Sequence, residues 1–482
     1  MLLFLPAFKT IGHLLIILSG VMVTPAAVDY VHGNPEWETF LLSAAVTLFA
    51  GGLGVTFSGG NLKSITRQQA FVLTSMSWVA VSAFGALPFL LGPHGMDATD
   101  AIFETVSGLT TTGSTVMVDL DSKPLGILLW RSLLQGIGGI GIIVMGISML
   151  SFLRVGGMQI FLTESSDSSE KLVPRTQDLA FTITKLYSVL TVACAAGYWA
   201  VGMSGFDAVN HALATVSTGG YSTSDQSFGK FPWPSVQWIA VLFMILGSLP
   251  FSIYLRSFNN KRLQFFSDPQ VRLMICGLAI VWAIMALWQM VQFNTPIFEA
   301  LTAAAFNSTS VVTTTGFASV DYLVWGPPAV VGFYLLTFVG GCSGSTAGGL
   351  KMYRLVIMGK VWRQIGTRMV HPHALSPVLY MGTPVSPAVI GSVLSFCLVY
   401  VGTILAIALV LAGLGLDFAS ALSGAATAVA NVGPGVSPLI GPVGNFASLP
   451  DAGKWALTAG MLLGRLELMT VYVIFSAGFW RH

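Results

Sequence analysis

A short phrase that ends in glycine occurs four times in this chain, and its residue types suit the coordination of a cation. Three copies are rich in Thr and Ser, whose hydroxyl oxygens, like backbone carbonyl oxygens, are ligands for alkali cations. Glycine at the narrowest point allows backbone angles that turn carbonyl oxygens inward, and it keeps a side chain out of the lumen. The copies are Thr110-Thr111-Thr112-Gly113, Val216-Ser217-Thr218-Gly219, Thr313-Thr314-Thr315-Gly316 and Ala430-Asn431-Val432-Gly433.

A short helix is predicted to lead into each phrase. The leading segments are rich in Ala, Ser and Gly, and at about ten residues they are too short to cross a bilayer. This pattern is typical of a half-membrane pore helix followed by a strip of exposed backbone. The negative C-terminal end of such a helix, aimed at a common axis, favours a cation. The alternative interpretation is close helix packing through small residues.

The composition is that of a polytopic membrane protein. Of the 482 residues, 54% are hydrophobic and 9% are charged, whereas a soluble domain carries about 25% charged residues. There is no basic run of the kind that binds nucleic acid, so no nucleic-acid partner is expected. All four cysteines lie in apolar stretches, which indicates small core residues rather than a disulfide framework or a metal site. They are Cys194, Cys276, Cys342 and Cys397.

Ten apolar stretches have the length of a membrane span. They cover residues 11–28, 39–57, 69–92, 125–153, 179–203, 235–255, 271–293, 327–350, 385–413 and 455–478. The glycine phrases fall between spans three and four, five and six, seven and eight, and nine and ten. We therefore expect an all-α polytopic membrane protein with ten transmembrane helices and four re-entrant pore helices.

This arrangement predicts a two-helix N-terminal preamble and four repeats of span, pore segment and span. Each repeat contains an even number of spans, so all four enter the membrane from the same side and can surround one pseudo-fourfold pore. The predicted boundaries are 1–66 for the preamble and 67–155, 156–262, 263–372 and 373–482 for the repeats.

Basic residues predict the orientation. Of the 22 lysines and arginines, 17 lie in segments 1–9, 59–68, 154–185, 255–272, 351–383 and 479–482, so these segments and both termini are expected in the cytoplasm. The opposite loops hold 14 of the 20 acidic residues. An acidic outer mouth would concentrate cations, although acids also collect wherever basic residues are excluded. The candidate mouth residues are Asp97, Asp100, Glu104, Asp119, Asp121, Asp207, Asp225, Glu299, Asp321, Asp417 and Asp451.

Two further glycine-rich runs make the pattern specific. Residues 135–144 follow the first phrase, and residues 340–351 follow the third. Together with the four phrases they resemble the TrkH/TrkG/KtrB superfamily of bacterial potassium uptake proteins over essentially the whole chain. The length and the preamble resemble the TrkH branch.

The resemblance implies potassium uptake across the bacterial inner membrane through a gated, channel-like pore. It also implies a homodimer with one pore per subunit and a cytosolic TrkA-like ring of regulatory subunits. NAD or ATP/ADP would bind that ring, so no cofactor is expected on this chain, and potassium is its substrate.

By the same resemblance, the four phrases form a potassium-binding selectivity filter. Gly113, Gly219, Gly316 and Gly433 take the place of the filter glycines. The fourth copy departs most, with Pro434 after its glycine, which puts fourfold symmetry in doubt. The expected filter residues are Thr111, Thr112, Gly113, Thr218, Gly219, Gly220, Thr314, Thr315, Gly316, Asn431, Val432 and Gly433.

The run at 340–349 has a composition that does not hold a regular helix well. Irregular backbone at membrane depth is tolerated where protein or a water-filled cavity covers it. The resemblance implies an intramembrane gate below the filter, and the alternative is a glycine-lined helix contact. The expected gate residues are Gly340, Gly341, Ser343, Gly344, Ser345, Thr346, Gly348 and Gly349.

Arg465 lies near the middle of the last span, where an arginine costs from about 3 to about 17 kcal/mol. It must therefore face a partner or water. Glu467 points to a different helix face and is a poor partner from the same helix. The motif of residues 464–467 resembles one in which the arginine is a barrier under the filter, and the alternative is a buried ion pair.

Other functions fit the sequence less well. Residues 136–141 satisfy G-x-G-x-x-G, but they lie inside a span, with no strand before them and no acidic residue about twenty positions on, which argues strongly against a dinucleotide site. No nucleophile, base and metal set converges, so an enzyme is not expected. A sodium- or proton-coupled potassium symporter remains the alternative to a channel, and Glu467 is the intramembrane acid that would support it.

Overall fold

The computed structural model describes residues 5–57, 66–92, 95–150, 176–260 and 265–480. Over these residues the protein is almost entirely α-helical. Seven helical segments are long and apolar enough to cross a membrane, or eight if one bent pair is counted as a span. Parts of the predicted cytoplasmic segments 59–68, 154–185, 255–272 and 479–482 lie outside the described residues.

The helices are numbered in chain order. They are α1 (Leu5–Val31), α2 (Trp37–Phe57), α3 (Arg67–Gly85), α4 (Leu87–Leu91), α5 (Ala98–Leu109), α6 (Leu125–Leu150), α7 (Thr176–Ala200), α8 (Gly205–Val216), α9 (Pro234–Ser248), α10 (Phe251–Asn260), α11 (Pro269–Phe293), α12 (Ile297–Val312), α13 (Pro327–Thr337), α14 (Met352–Val370), α15 (Pro387–Gly413), α16 (Phe418–Ala430), α17 (Asp451–Arg465) and α18 (Met469–Ile474). An antiparallel hairpin, β1 (Leu379–Tyr380) with β2 (Thr383–Pro384), follows α14.

The preamble is a close helical hairpin. A β-carbon on Gly12 of α1 would lie 2.7 Å from the carbonyl oxygen of Gly51 in α2, so small residues let the two backbones touch. At the end of α1, the buried Asp29 carboxylate accepts a hydrogen bond of 2.8 Å from the Gly126 amide. Since Gly126 begins α6, this carboxylate ties the preamble to the positive end of that helix.

The four short helices that precede the glycine phrases are α5, α8, α12 and α16. Three of them begin at a side-chain cap, provided by Asp97, Ser204 and Asp417. Such caps satisfy the free amides of a first helical turn. The fourth, α12, begins after Pro296 without a side-chain cap. Each short helix buries most of its length, so the glycine phrases that follow lie inside the protein.

Three of the ten predicted spans have long or sharp breaks within the described residues, and a fourth, 69–92, is interrupted only by Ala86 between α3 and α4. The segment 235–255 bends by 89° between α9 and α10, where Pro250 lacks an amide N–H. The segment 327–350 is helical only to Thr337, because the glycine-rich run follows. The segment 455–478 breaks after Arg465, where the next residues include two with positive φ. The helix α6, in contrast, is unbroken over 26 residues.

The four cysteines are all free thiols. Cys194 and Cys342 are buried as predicted and Cys397 is partly buried, but Cys276 is exposed, so it is not a core residue within this chain. Among the described residues, no group of three or more His, Cys, Asp or Glu side chains is placed to hold a metal ion.

Candidate functional site

The four glycine phrases meet at the centre of the protein. A glycine of each phrase packs directly against a backbone carbonyl of the next phrase, and a β-carbon on any of the four would collide with that oxygen. The contacts follow the order of the chain and close from the fourth phrase to the first, so the phrases form a ring. The glycine–carbonyl pairs are Gly113 with Gly219, Gly220 with Thr315, Gly316 with Val432 and Gly433 with Thr112. We call residues 111–113, 218–220, 314–316 and 431–433 the glycine ring.

All four phrases share one backbone conformation. A left-handed residue stands two positions before a left-handed glycine in every copy, and the φ values of the first are 52°, 54°, 56° and 55° at Thr111, Thr218, Thr314 and Asn431. The glycines have φ of 85°, 76°, 82° and 107° at Gly113, Gly220, Gly316 and Gly433. Because an L side chain is strained at such angles, glycine is the natural residue there. The fourth phrase keeps this geometry despite its different side chains.

The shared conformation corrects the alignment of the second phrase. The sequence pattern paired Gly219 with the other three glycines, but the residue with their left-handed φ is Gly220. Gly219 corresponds to Thr112, Thr315 and Val432 instead. The second phrase contains two adjacent glycines, and sequence alone does not tell which of them occupies the left-handed position.

The backbone amides of the ring donate hydrogen bonds away from its centre, to the short helices. The amide of Thr112 donates to the Ser107 carbonyl of α5 at 2.8 Å, and the amide of Thr315 donates to the Ser310 carbonyl of α12 at 2.8 Å. Equivalent bonds attach Gly219 to Ala214 and Val432 to Thr427. Since these N–H groups point back to the short helices, the carbonyl oxygens remain available to the centre of the ring.

A cavity of about 210 Å³ lies on one side of the ring and touches all four left-handed glycines. Two carboxylates line it, those of Asp119 and Asp225. Burial raises the pKa of the Asp225 carboxyl; a hydrogen bond from the Leu120 amide opposes this shift, and the charges of Asp121 and Asp119 add to it. The lining also includes Arg131, so two carboxylates and one guanidinium border the cavity next to the ring.

Most of the other acids predicted at the outer mouth have structural partners. Asp97 and Asp417 cap helices, Asp100 forms an ion pair of 2.5 Å with Lys454, and Glu104 is fully buried. Of the eleven predicted residues, only Asp119 and Asp225 line the cavity beside the ring, within the part of the chain that the structure describes.

The glycine-rich loop, residues 340–349, lies against the opposite side of the ring. The amide of Gly348 donates to the Thr314 hydroxyl at 2.7 Å, and the Thr218 hydroxyl lies 3.3 Å from the Thr346 hydroxyl. A β-carbon on Gly348 would also lie 2.9 Å from Cβ of Asn431. The loop therefore touches three of the four phrases and covers the ring from this side.

The break between α9 and α10 holds the glycine-rich loop in place. The amide of Cys342 donates to the Ser248 carbonyl at 3.0 Å, and the amide of Phe251 donates to the Gly344 carbonyl at 3.0 Å. The Thr346 hydroxyl is 3.0 Å from the Gly247 carbonyl. Irregular backbone of the loop thus pairs with backbone groups that the helix break has freed.

Arg465 is placed beside the same loop. Its guanidinium donates to the Thr346 carbonyl at 2.8 Å and to the Gly138 carbonyl of α6 at 3.3 Å. The side chain is 3% exposed, and within the described residues it forms no ion pair. Glu467 bonds to Arg354 of α14 instead. Arg465 thus joins the loop to α6.

Sequence reasoning missed a buried network on α6. The Arg131 guanidinium pairs with the Glu104 carboxylate at 2.8 Å, with both side chains almost fully buried, and donates to the Ser222 carbonyl at 2.9 Å. One turn further on, Gln135 bonds to the backbone of the second phrase at Gly219. The signal was present, because a charged residue inside an apolar span marks a paired or functional position.

Together these features define a multi-span helical membrane protein with polar backbone phrases at its centre, between a cavity lined by two carboxylates and a glycine-rich loop. The TrkH family, described as a cation transport protein, matches residues 38–481, and the chain belongs to this family. It is accordingly a transport protein and not an enzyme. The predicted resemblance to the TrkH branch is confirmed.

Individual relatives match over nearly their whole lengths. The Trk system potassium uptake protein TrkI of Halomonas elongata is 44% identical over 477 residues, which cover 99% of this chain and 97% of that protein. TrkH of Escherichia coli K12 is 33% identical over 482 residues, or 98% of each chain. The crystal structure of the potassium transporter TrkH from Vibrio parahaemolyticus superposes with a TM-score of 0.90 at 31% identity, covering 99% of this chain and 100% of that one.

Proposed function

We propose that this protein takes up potassium across the bacterial inner membrane through a gated, channel-like pore. The observation that carries this proposal is the glycine ring: four phrases with one backbone conformation, closed into a circle beside a cavity lined by two carboxylates. The relatives named as potassium uptake proteins support the choice of ion.

In this proposal the glycine ring is the selectivity filter. A cation that enters from the outer cavity exchanges water oxygens for carbonyl oxygens of the ring, at little net cost if all of them point to the axis. The left-handed glycines keep side chains out of the path, and the alignment that includes Gly220 gives all four phrases the same role. Asp119 and Asp225 raise the local concentration of cations at the entrance.

The glycine-rich loop and Arg465 are the gate and the barrier of the pore. The loop covers the inner side of the ring, and its hydrogen bonds to Thr314, Gly247 and Ser248 are individually modest. Arg465 places a positive charge beside the path, where it opposes cation passage. Opening requires the loop to leave the ring and the contact between Arg465 and Thr346 to break.

Channel-like passage is favoured over ion-coupled symport by the position of Glu467. A symporter that used Glu467 to bind and release the coupling ion would need this carboxylate to be free. Glu467 is the acid that sequence offered for this role, and it is bound to Arg354.

Electrical recording on purified protein in planar bilayers tests the proposal. We expect currents that reverse at the potassium Nernst potential and stay there when the sodium or proton gradient is changed. A reversal potential that follows a second ion would establish coupling and contradict the channel. Gly113→Ser should lower the permeability of potassium relative to sodium, because a side chain then enters the ring.

We further propose that the protein works as a homodimer with a cytosolic TrkA-like regulatory ring, which binds NAD or ATP/ADP. Both termini face the cytoplasm, and the chain divides into a preamble and four repeats at the boundaries given above. The excess of basic residues on one set of loops supports this orientation. Labelling of single cysteines near each terminus in intact and opened cells tests it.

A further inference from the structure

The second phrase of the glycine ring differs from the other three at one position. Thr112, Thr315 and Val432 each carry a side chain there, whereas the equivalent residue of the second phrase is Gly219. Gly219 does not have a positive φ, so its own backbone conformation does not require glycine. Another part of the protein must explain why a side chain is absent.

Gln135 of α6 occupies the space that this side chain would fill. A β-carbon on Gly219 would lie 2.7 Å from Oε1 and 2.8 Å from Nε2 of Gln135. Side-chain carbons do not approach polar atoms this closely, so a threonine at this position would displace the glutamine amide. The glycine of the ring and the glutamine of α6 are therefore two halves of one packing arrangement.

The glutamine amide also holds the backbone of the ring. Nε2 donates to the Gly219 carbonyl at 2.5 Å, and Oε1 accepts from the Tyr221 amide at 3.0 Å. The Gly219 carbonyl is the one against which Gly113 packs. Gln135 is fully buried, so both bonds form away from water, where the loss of either leaves an unpaired polar group.

In the first and third phrases a threonine at this position braces the phrase from within. The Thr112 hydroxyl lies 2.7 Å from the Thr110 hydroxyl, and the Thr315 hydroxyl lies 2.8 Å from the Thr313 hydroxyl. The second phrase has a hydroxyl two positions earlier, at Ser217, but no partner for it at Gly219. The hydrogen bonds of the Gln135 side chain, which comes from outside the phrase, take the place of this hydroxyl pair.

We propose that Gln135 is a positioning residue for ion discrimination, whose side-chain amide fixes the Gly219 carbonyl oxygen within the ring. This proposal rests on the proposed function of the ring as a selectivity filter. Under this proposal the geometry of the second phrase depends on α6, whereas the first and third phrases are stabilised by their own hydroxyl pairs.

The test compares potassium and sodium permeability of purified variants in planar bilayers. Gln135→Met keeps the length of the side chain but removes its donor and acceptor. We expect the potassium-to-sodium permeability ratio to fall about tenfold, the equivalent of about 1.4 kcal/mol, which is the size of one buried hydrogen bond. Ser132→Ala is the matched control, because Ser132 is buried on the same helix and its hydroxyl donates to the Leu128 carbonyl of that helix rather than to the ring.

A second variant tests the same idea without depending on the folding of the first. In Gly219→Thr alone, the new side chain should collide with Gln135. We expect a smaller amount of folded protein and a lower potassium-to-sodium permeability ratio. The pair Gln135→Ala with Gly219→Thr gives the second phrase the side chain of the first and third, with Ser217 as its hydroxyl partner. We expect this pair to restore the permeability ratio to within about threefold of the unsubstituted protein, within the usual scatter of one hydrogen bond.

The outcomes separate the two proposals. If the unsubstituted protein is potassium-selective but Gln135→Met keeps its ratio, the role of Gln135 is contradicted and the filter stands. A folded double variant that is no more selective than Gln135→Met also contradicts that role. If the unsubstituted protein does not conduct potassium, the proposed function itself fails. A purely structural role would lower the amount of folded protein in Gln135→Met and leave the permeability ratio unchanged.

Discussion

The helix that follows the first glycine phrase differs from the helices that follow the other three. The first, α6, is continuous; its Gln135 side chain bonds to the backbone of the second phrase at Gly219, and its Arg131 side chain bonds to the Ser222 carbonyl just after that phrase. The other three break near their middles, after Ser248, Thr337 and Arg465. Backbone groups at these breaks lie against one side of the ring. They belong to the glycine-rich loop and to the residues that bond to it.

The difference divides the surroundings of the ring into two sides. We call the side held by the continuous helix α6 the braced side, and the other side, which contacts the glycine-rich loop, can rearrange. On the braced side, the Arg131–Glu104 network is fully paired. On the side of the loop, the buried polar atoms without a hydrogen-bond partner within the described residues include Nε of Arg465 and Oδ1 of Asn431. Since unpaired groups raise the energy of one arrangement, a second arrangement of the loop is more accessible than a second arrangement of α6.

The largest expected effect comes from breaking the braced side. Glu104→Gln leaves the Arg131 guanidinium buried without a counter-charge, so we expect a loss of about 3 to 5 kcal/mol in the free energy of unfolding. Thermal unfolding of the detergent-purified protein measures it. Asp121→Asn is the control, because its ion pair with Lys230 is exposed and should be worth less than about 1 kcal/mol. Equal losses in the two variants would show that α6 is not specially braced.

A smaller effect should follow from pushing α6 away from α5. A β-carbon on Gly138 would collide with the Leu109 carbonyl at the end of α5, so Gly138→Ala should destabilise the fold by about 1 to 3 kcal/mol. Gly141, on the same helix, has open space around it. Gly141→Ala should be neutral or stabilising by about 0.5 to 1 kcal/mol. Similar melting temperatures for the two variants would contradict the close contact.

Next in size is the effect of shortening the glycine-rich loop. Deletion of residues 344–347 removes the Thr346 contacts to Val216 and Gly247. Potassium flux into liposomes that lack the regulatory ring should rise about tenfold, which corresponds to about 1.4 kcal/mol of gate stability. Ion selectivity should not change, because the braced side remains intact. Unchanged flux would show that the loop is not the gate.

The smallest effect is expected for Arg465→Ala. The variant removes one positive charge and the link between the loop and α6, so flux should rise about threefold, as for the loss of one modest hydrogen-bonded contact. Flux measured across a range of potassium concentrations separates a change in maximal rate from a change in apparent affinity. If neither changes, Arg465 does not stand beside the path.

Part of this architecture was predictable from sequence because it depends on local residue types. The four short helices follow from their length and composition, and the break at 340–349 follows from its five glycines. The alignment of the second phrase was wrong because Gly219 and Gly220 are adjacent and only their φ angles distinguish them. The roles of Glu104 and Gln135 depend on contacts between residues 27 and 84 positions apart, and no local pattern reports such contacts.

The glycine–carbonyl contacts of the ring all belong to one polypeptide. In an assembly of four identical subunits, any substitution in such a ring would alter every quarter at once. Here a single substitution changes one phrase of the ring and leaves the other three unchanged. Under the proposed function of the ring, ion selectivity would then change by degrees, one phrase at a time, rather than being simply kept or lost.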